Sequence, residues 1–472
     1  MASHGMRTLL SASAQAVAQQ VLAVLFFYIL SVHLPKDSFG IISWCNAVAF
    51  VVTIVLSMGL EQVVLRRVAA GAGRADWTAG AYFLHALGTG FITTLLLLGG
   101  SFLFPEDSKA RLLPMFFAAQ AILAASVPLR VLLNAKERFA PYAVAALVSN
   151  GLKLAIALLC IYFDALSIRV VGLILIATAV VECAVAAVFA FRNGLTVHVP
   201  GRGYRALLRD SLPQYAVVLF DVGLARTDWV LMGLLSTNTA TADYAFAYRA
   251  FELARIPINV LGSLLMPKAA RALDRTGVLK PAQAASMTNL FTVTLSVVIL
   301  AAALLNTIWA PIVDALTDGA YGTPTRGIVA LLSGCIPLSY AVTLLWTISF
   351  AAKQLKATAR ITAVVAVINI AVNLALIPVL GGVGAAGAFL GTVAVQVTLY
   401  WRLARRIGFH APVLPLLGMA ALAAGLLVAS RAAQWPPVLE GLLLVSVYTA
   451  VGVVAGPLRP ENLRRVLSSL RR

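Results

Sequence analysis

Runs of apolar residues separated by short polar connections recur along almost the whole chain. They are Ala14–Val32, Ile41–Leu60, Ala79–Phe104, Leu112–Leu133, Tyr142–Phe163, Val170–Phe191 and Leu212–Leu235. The series continues with Tyr244–Met266, Met287–Trp309, Ile328–Ala351, Ile361–Leu380, Val383–Leu403, Val413–Ser430 and Val438–Ala455. A helix rises about 1.5 Å per residue, so roughly 20 apolar residues cross a hydrocarbon layer about 30 Å thick. Barrel strands would be about ten residues long with alternating polarity. An open sheet leaves backbone groups unpaired in lipid. The pattern therefore predicts an all-α polytopic membrane protein with about fourteen transmembrane helices. The first run is too long for a signal peptide, and no small-x-small cleavage site leads into Pro35-Lys36-Asp37. It is read as a retained helix.

Composition supports the same solvent. The 472 residues are 61% hydrophobic and 11% charged, against about 45–50% and about 25% in soluble chains. A soluble globule of this length has no means of hiding that much apolar surface. A soluble anchored enzyme, a disordered chain and a disulfide scaffold are excluded. The connections leave no room for a separate soluble domain. Cys45, Cys160, Cys183 and Cys335 all lie in apolar runs, with no CxxC pair and no zinc-like spacing. They read as small core residues.

The net charge of +18 is distributed, and its phase gives an orientation. Alternate connections carry Arg66, Arg67 and Arg74; Arg130, Lys136 and Arg138; Arg192, Arg202, Arg205 and Arg209; Lys268, Arg271, Arg275 and Lys280; Lys353, Lys356 and Arg360; Arg402, Arg405 and Arg406. The tail adds Arg459, Arg464, Arg465, Arg471 and Arg472. The intervening connections carry only Lys36; Lys109 and Arg111; Arg169; Arg326; Arg431. Short cytoplasmic loops collect Lys and Arg, so both termini are expected in the cytoplasm. The charge is mainly a topology signal, and no nucleic-acid partner is expected. In Pro460–Arg472, Leu463, Val466, Leu467 and Leu470 recur at helical spacing with arginines between them. Two readings stand: a short helix on anionic membrane lipid, or a solvated basic tail.

A weak internal repeat organises the chain. Phe39–Ala69 and Tyr244–Leu273 both begin with an aromatic residue and end in a basic patch, which aligns Arg66 with Arg271. Asn150 likewise falls on Asn369, and Glu182 on Gln396. The copies share one orientation, so the expectation is two six-helix lobes in parallel repeat, plus two C-terminal helices. The boundaries expected are 1–198 for the N-terminal lobe, 199–410 for the C-terminal lobe, and 411–472 for the added helices and tail.

Three stretches resemble a known family. Phe39-Gly40 through Gly59-Leu60-Glu61-Gln62 is similar to its second helix. Ser211-Leu212-Pro213 through Asp228, then Ala242–Arg249 and Leu265-Met266-Pro267-Lys268, is similar to its seventh and eighth. Asn369–Asn373, Ile377-Pro378 and Gly381–Gly387 are similar to its eleventh and twelfth. The family is the bacterial polysaccharide transporters, the O-antigen and exopolysaccharide flippases of the multidrug/oligosaccharidyl-lipid/polysaccharide exporter superfamily. One departure stands out: the family usually has a basic residue right after the aspartate of helix seven. Here Trp229 follows Asp228, and Arg226 precedes it. The resemblance implies two lobes around a cavity that alternates between the membrane faces. It implies a polyprenyl-pyrophosphate-linked oligosaccharide as substrate, moved from the inner to the outer leaflet of the bacterial cytoplasmic membrane. A glycan polymerase and glycosyltransferases are the implied partners, and the chain is expected to act as a monomer among membrane lipids.

Ionisable residues inside membrane helices are costly unless paired or functional. One group is Lys153 with Glu182. The other is Asp221, Arg226 and Asp228 on the seventh segment, with Arg249, Glu252 and Arg255 on the eighth. At about 100° per residue, Arg249, Glu252, Arg255 and Asn259 fall within a roughly 120° arc. Asp221 and Asp228, seven apart, share a face. These charges either form ion pairs holding the lobes together or line the cavity. In the second reading Arg249, Arg255 and Arg226 receive the pyrophosphate, because a planar guanidinium fork binds two oxygens. Asp221, Asp228, Glu252, Lys153 and Glu182 then gate it or carry a coupling proton or sodium ion. Pro257 marks an expected kink.

Other motifs have structural readings. Gly382-Val383-Gly384-Ala385-Ala386-Gly387 matches GxGxxG, but it sits between membrane helices rather than after a strand. Its glycines are expected to make a tight external turn, with Gly387 and Gly391 as a helix contact face. His4, His33, His85, His198 and His410 are scattered. No catalytic constellation, cofactor or metal site is expected, so the chain reads as a transporter rather than an enzyme. The rival readings are a multidrug or cation antiporter or a lipid II flippase of the same superfamily. A membrane glycan polymerase or glycosyltransferase would need a large loop. Proton-coupled antiporters often carry an acid in the first helix, and Ala14–Val32 has none.

Overall fold

The structure is a computed structural model that describes residues 19–70, 76–106, 108–136, 139–197, 201–274 and 277–471. His4, His198 and the start of the first apolar run lie outside the described residues. The first helices are α1 (Gln19–His33), α2 (Lys36–Leu56), α3 (Leu60–Ala69), α4 (Asp76–Ser101), α5 (Leu113–Ala135) and α6 (Phe139–Tyr162). Next come α7 (Ile168–Arg192), α8 (Gly201–Ala225), α9 (Thr227–Leu235), α10 (Asn238–Ala272) and α11 (Pro281–Thr317). The last are α12 (Arg326–Ala351), α13 (Leu355–Arg406), α14 (Val413–Ala432), α15 (Pro437–Val454) and α16 (Pro460–Arg471). The chain is 86% helix with no strand among the described residues.

Every predicted apolar run falls on helix where its residues are described. Among the described residues, ten helices are long and apolar enough to cross a membrane. The remaining runs map to α1, whose described part is short, to the charged helices α8–α10, and to the second half of α13. The protein is a multi-pass membrane protein. Packing divides it into two units, Met1–Ala242 and Asp243–Arg472. This division keeps α8 and α9 with the first unit, because α8 packs on α2, α3 and α4 and α9 packs on α2.

In the first unit α5 is the hub, packing on α2, α3, α4, α6 and α7. One core cluster gathers Leu60, Val64, Tyr82, Leu129, Leu132 and Leu207 from α3, α4, α5 and α8. Sequence reading carried the second apolar run unbroken to Leu60, but the helix stops at Leu56. Met58 and Gly59 both adopt positive φ, 50° and 68°, and α3 starts afresh. A Cβ on Gly59 would lie 2.7 Å from the Tyr215 backbone nitrogen, so α8 and this turn require glycine. His85, treated as incidental in the sequence, secures the same place. Its Nε2 bonds the Leu56 carbonyl and its Nδ1 the Tyr204 hydroxyl, both at 2.7 Å.

At the other end of the first unit, Trp44 Nε1 donates to the Val230 carbonyl at 3.2 Å. Lys109 Nζ lies 5.0 Å from the Trp44 ring centroid and donates to the Gly233 carbonyl and to Asn238 Oδ1. Gly40 allows this approach, because a Cβ there would overlap the Asn238 carbonyl oxygen. Gly40→Ala should therefore cost about 1–3 kcal/mol by overpacking. It should lower the Tm of the detergent-purified protein. Gly391→Ala, whose Cβ meets nothing within 4 Å, should leave it unchanged. Equal Tm values for the two variants would contradict the close packing.

In the second unit α11 packs on α12, α14, α15 and α16, and α12 packs on α13. The two C-terminal membrane helices thus dock on α11. Within α13, Gly381 (φ 55°, ψ −131°) breaks the helix, as the glycine run predicts. The halves then fold back on each other: Asn369 Nδ2 reaches Thr392 Oγ1 at 3.4 Å, and the Tyr400 hydroxyl reaches Thr362 Oγ1 at 3.4 Å. The contact face predicted at Gly387 and Gly391 does not form. A Cβ at Gly387 meets only Leu331, at 4.0 Å, and one at Gly391 nothing within 4 Å. Close packing falls instead on Gly384, beside the turn, against the Leu376 carbonyl. Glu182 and Gln396, aligned in the repeat, are both buried, at 6% and 7% exposure.

Candidate functional site

In the second unit, α10 separates an aromatic face from a charged one. Tyr244, Tyr248 and Phe251 are buried. Phe251 packs on Phe389 with ring centroids 5.4 Å apart, and Phe246 stacks on Tyr321 at 4.3 Å. Burial also pushes the Tyr321 hydroxyl, in the α11–α12 connection, well above its usual pKa, with Asp243 adding to the effect. The aromatic face fixes the rotation of α10 and so aims its charged residues.

Those residues differ in their partners. Arg249 Nη1 donates to Glu252 Oε2 at 2.7 Å, an i,i+3 pair on one helix. Arg255, half-buried, lies over the Phe251 ring, 5.3 Å from its centroid. Its Nε is buried with no hydrogen-bond partner, and no carboxylate pairs with it among the described residues. An aromatic face is a weak counterpart for a guanidinium. Arg255 therefore holds unspent capacity to bind an anion. Asn259, expected on the same arc, lies outside the described side chains. The helix continues through Pro257.

In the first unit the predicted seventh helix is two helices. Arg226 (φ −142°, ψ −3°) interrupts it, and α9 starts at Thr227. The seven-residue spacing that put Asp221 and Asp228 on one face assumed an unbroken helix, so the two diverge. Asp221 is exposed, whereas Asp228 is 1% exposed in the first turn of α9. Asp228 Oδ1 accepts the Trp229 backbone N–H at 2.9 Å, and the positive end of the helix dipole favours a carboxylate there. The Arg226 guanidinium lies 5.5 Å from the Phe50 ring and 5.1 Å from the Trp229 ring.

Lys153 and Glu182 sit on neighbouring helices α6 and α7, yet no ion pair within 4.0 Å joins them among the described residues. Lys153 Nζ donates to Asn150 Oδ1 at 3.4 Å and lies 5.6 Å from the Phe26 ring. Glu182 is buried at 6% exposure.

Sequence reading missed a polar cluster in the second unit. Glu440 on α15 accepts from Thr307 Oγ1 at 3.1 Å and lies 3.9 Å from Arg431 Nε. Arg431 Nη2 donates to the Asn306 carbonyl at 3.3 Å, and Asn306 Nδ2 donates to Ser333 Oγ. Asn306 and Ser333, with Thr398, line a mainly apolar cavity of about 640 Å³ among α11, α12, α13 and α14. An acid inside an apolar run at Glu440 was the available signal, while Arg431 had been read only as a topology charge. No group of three His, Cys, Asp or Glu capable of holding a metal occurs among the described residues.

The comparisons with known proteins agree with this architecture. The model of a family described as polysaccharide biosynthesis protein matches residues 7–272. A solved structure of the lipid II flippase MurJ, in an inward closed conformation, superposes with a TM-score of 0.73 at 12% identity. It covers 94% of this chain and 99% of that one. An inward-facing multidrug resistance MATE family transporter of the MOP superfamily gives 0.65 at 16% identity, covering 84% and 98%. A MOP superfamily transporter from Pyrococcus furiosus gives 0.57 at 14% identity, covering 85% and 95%. At these identities the likeness is one of fold. Comparison with curated proteins gives no match.

Proposed function

Since the chain belongs to the polysaccharide biosynthesis protein family, we propose that it is a flippase for a polyprenyl-pyrophosphate-linked oligosaccharide. It carries this substrate from the inner to the outer leaflet by alternating access, without chemical conversion. The observation that carries the reading is Arg255, a membrane-helix guanidinium with a buried, unpartnered Nε. A diphosphate is the group that such a fork suits. Arg249 and, in the first unit, Arg226 are further anion-binding groups, each released from a resting partner when the diphosphate arrives. Asp221, Asp228, Glu252, Lys153 and Glu182 are gating groups or carry a coupling proton or sodium ion, each within its own unit. The apolar cavity supports a substrate with a long hydrocarbon chain over a soluble cationic drug.

The protein sits in the bacterial cytoplasmic membrane with both termini in the cytoplasm, as the alternating basic connections favour. Polymerase and glycosyltransferases act beside it, on the product and on the precursor of the flip. The multidrug antiporter is the second reading, and the described part of the first helix, Gln19–His33, lacks the acid that proton-coupled antiporters often carry there.

A strain lacking the gene distinguishes the two. The flippase reading expects lipid-linked glycan to accumulate on the inner leaflet and surface polysaccharide to be lost, with unchanged sensitivity to cationic drugs. Normal surface glycan together with new drug sensitivity would replace it with the antiporter.

A further inference from the structure

A second cavity in the second unit has no lining residue on α10. It has a volume of about 560 Å³ and is lined by Thr288 and Asn289 of α11, His410 and Pro412 of the α13–α14 connection, and Arg459 and Asn462 around the start of α16. Small-molecule sites span about 300–1,000 Å³. Its walls are tied together. Thr288 Oγ1 donates to the His410 carbonyl at 3.3 Å, Asn289 Nδ2 to the Asn462 carbonyl at 3.0 Å, and Asn462 Nδ2 to the Pro457 carbonyl at 3.1 Å. The mouth is therefore built by three separate segments rather than by one mobile tail.

Its chemistry is that of an anion site at a membrane surface. No Asp or Glu lines it. Arg459 is exposed, and no ion pair engages it among the described residues. The connection that supplies His410 follows Arg402, Arg405 and Arg406, and α16 adds Arg464 and Arg465. The cavity opens where α11 and α14 begin and α15 ends, which are the ends of membrane-crossing helices. Its remaining lining, including Ala284, Pro415 and Ala455, is apolar apart from Thr292. The tail forms a helix, the element in the first of the two readings its spacing left open. Val466 is buried, and α16 packs on α11.

We propose that this cavity is a headgroup site for an anionic phospholipid. Arg459 holds the phosphate, the Thr288, Asn289 and His410 wall takes the polar headgroup, and the acyl chains follow the apolar rim into the bilayer. Basic clusters at the membrane surface concentrate such lipids. The amphipathic α16 is then the outer wall of a lipid site, beyond any part in moving substrate. A free phosphate ion shares the headgroup chemistry but makes no use of the apolar rim.

Native mass spectrometry of the purified full-length protein tests this with phosphatidylglycerol, phosphatidylcholine and inorganic phosphate as probes. The wild type should retain phosphatidylglycerol in preference to phosphatidylcholine. Arg459→Gln should weaken that retention roughly tenfold, the consequence of losing a charge-assisted contact. Thr288→Val, which changes the wall without touching α16, should also weaken it. Arg464→Gln, an exposed arginine outside the lining, should stay within about twofold of wild type, as surface charges contribute little. Equal retention of both lipids would overturn the site. So would an Arg464→Gln loss as large as that of Arg459→Gln, or full displacement of phosphatidylglycerol by inorganic phosphate.

Discussion

Arg255→Gln should leave the protein folded and well expressed while cutting transport about tenfold to a hundredfold. The magnitude is that of one charge-assisted hydrogen-bonding group, about 1.5–3 kcal/mol, at about 1.4 kcal/mol per factor of ten. Retention of the fold follows from the absence of a partner. A paired buried charge leaves its counterpart stranded when it is removed. Arg255 has no carboxylate partner among the described residues and only the Phe251 face beneath it. Removing it strands nothing and relieves the cost of an intramembrane cation. Arg255→Lys keeps the charge and loses the planar fork, so it should also fold and transport poorly. Arg249 behaves in the opposite way: Arg249→Ala removes the ion-pair partner that Glu252 holds at 2.7 Å, and should lower the protein level. Protein level and surface glycan measured side by side separate the cases. Wild-type transport by Arg255→Gln would remove the anion-binding role.

Asp228→Ala should be the most destabilising of the charge substitutions in the first unit. Asp228 is 1% exposed and accepts the Trp229 N–H at the start of α9. A buried donor left without its acceptor costs about 1–3 kcal/mol, and the N-terminal end of α9 loses its favourable negative charge. Asp228→Asn keeps the oxygen and the shape but not the charge. It should restore the protein level and still transport poorly, because the proposed gating or coupling role needs an ionisable group. The measurement is detergent-extract Tm and surface glycan for both variants. Full transport by Asp228→Asn would reduce Asp228 to a structural residue in the first turn of α9.

The apolar runs were legible because lipid as solvent leaves a chain little choice. Each run falls on helix among the described residues, and ten of those helices are long and apolar enough to span. The helix of the tail was legible for a related reason, since Leu463 and Val466 keep a helical period between arginines. The interruptions were not legible. Neither Met58-Gly59 nor Arg226 is marked by proline, and each lies within a stretch whose hydrophobicity continues through it. What breaks the helix there is a tertiary demand: α8 pressing on Gly59, and α9 packing on α2. Which charges are intramembrane could be read residue by residue, but which ones meet could not. Lys153 meets Asn150 on its own helix and the Phe26 ring, with no ion pair to Glu182 among the described residues. The break at Arg226 buries Asp228 and leaves Asp221 exposed. The Arg431–Glu440 pair joins residues at the rims of adjacent runs, where a charge reads first as topology.

The central claim is that this chain moves a diphosphate-linked lipid across a bilayer. The most direct test reconstitutes the purified protein in vesicles containing a fluorescently labelled polyprenyl-pyrophosphate-linked oligosaccharide. A membrane-impermeant reagent then quenches the label in the outer leaflet only. The account predicts that wild-type protein makes the inner-leaflet pool accessible and that Arg255→Gln vesicles lag about tenfold or more behind. Protein-free vesicles should stay protected. An inner pool that stays protected with folded wild-type protein, under both proton and sodium gradients, would contradict it.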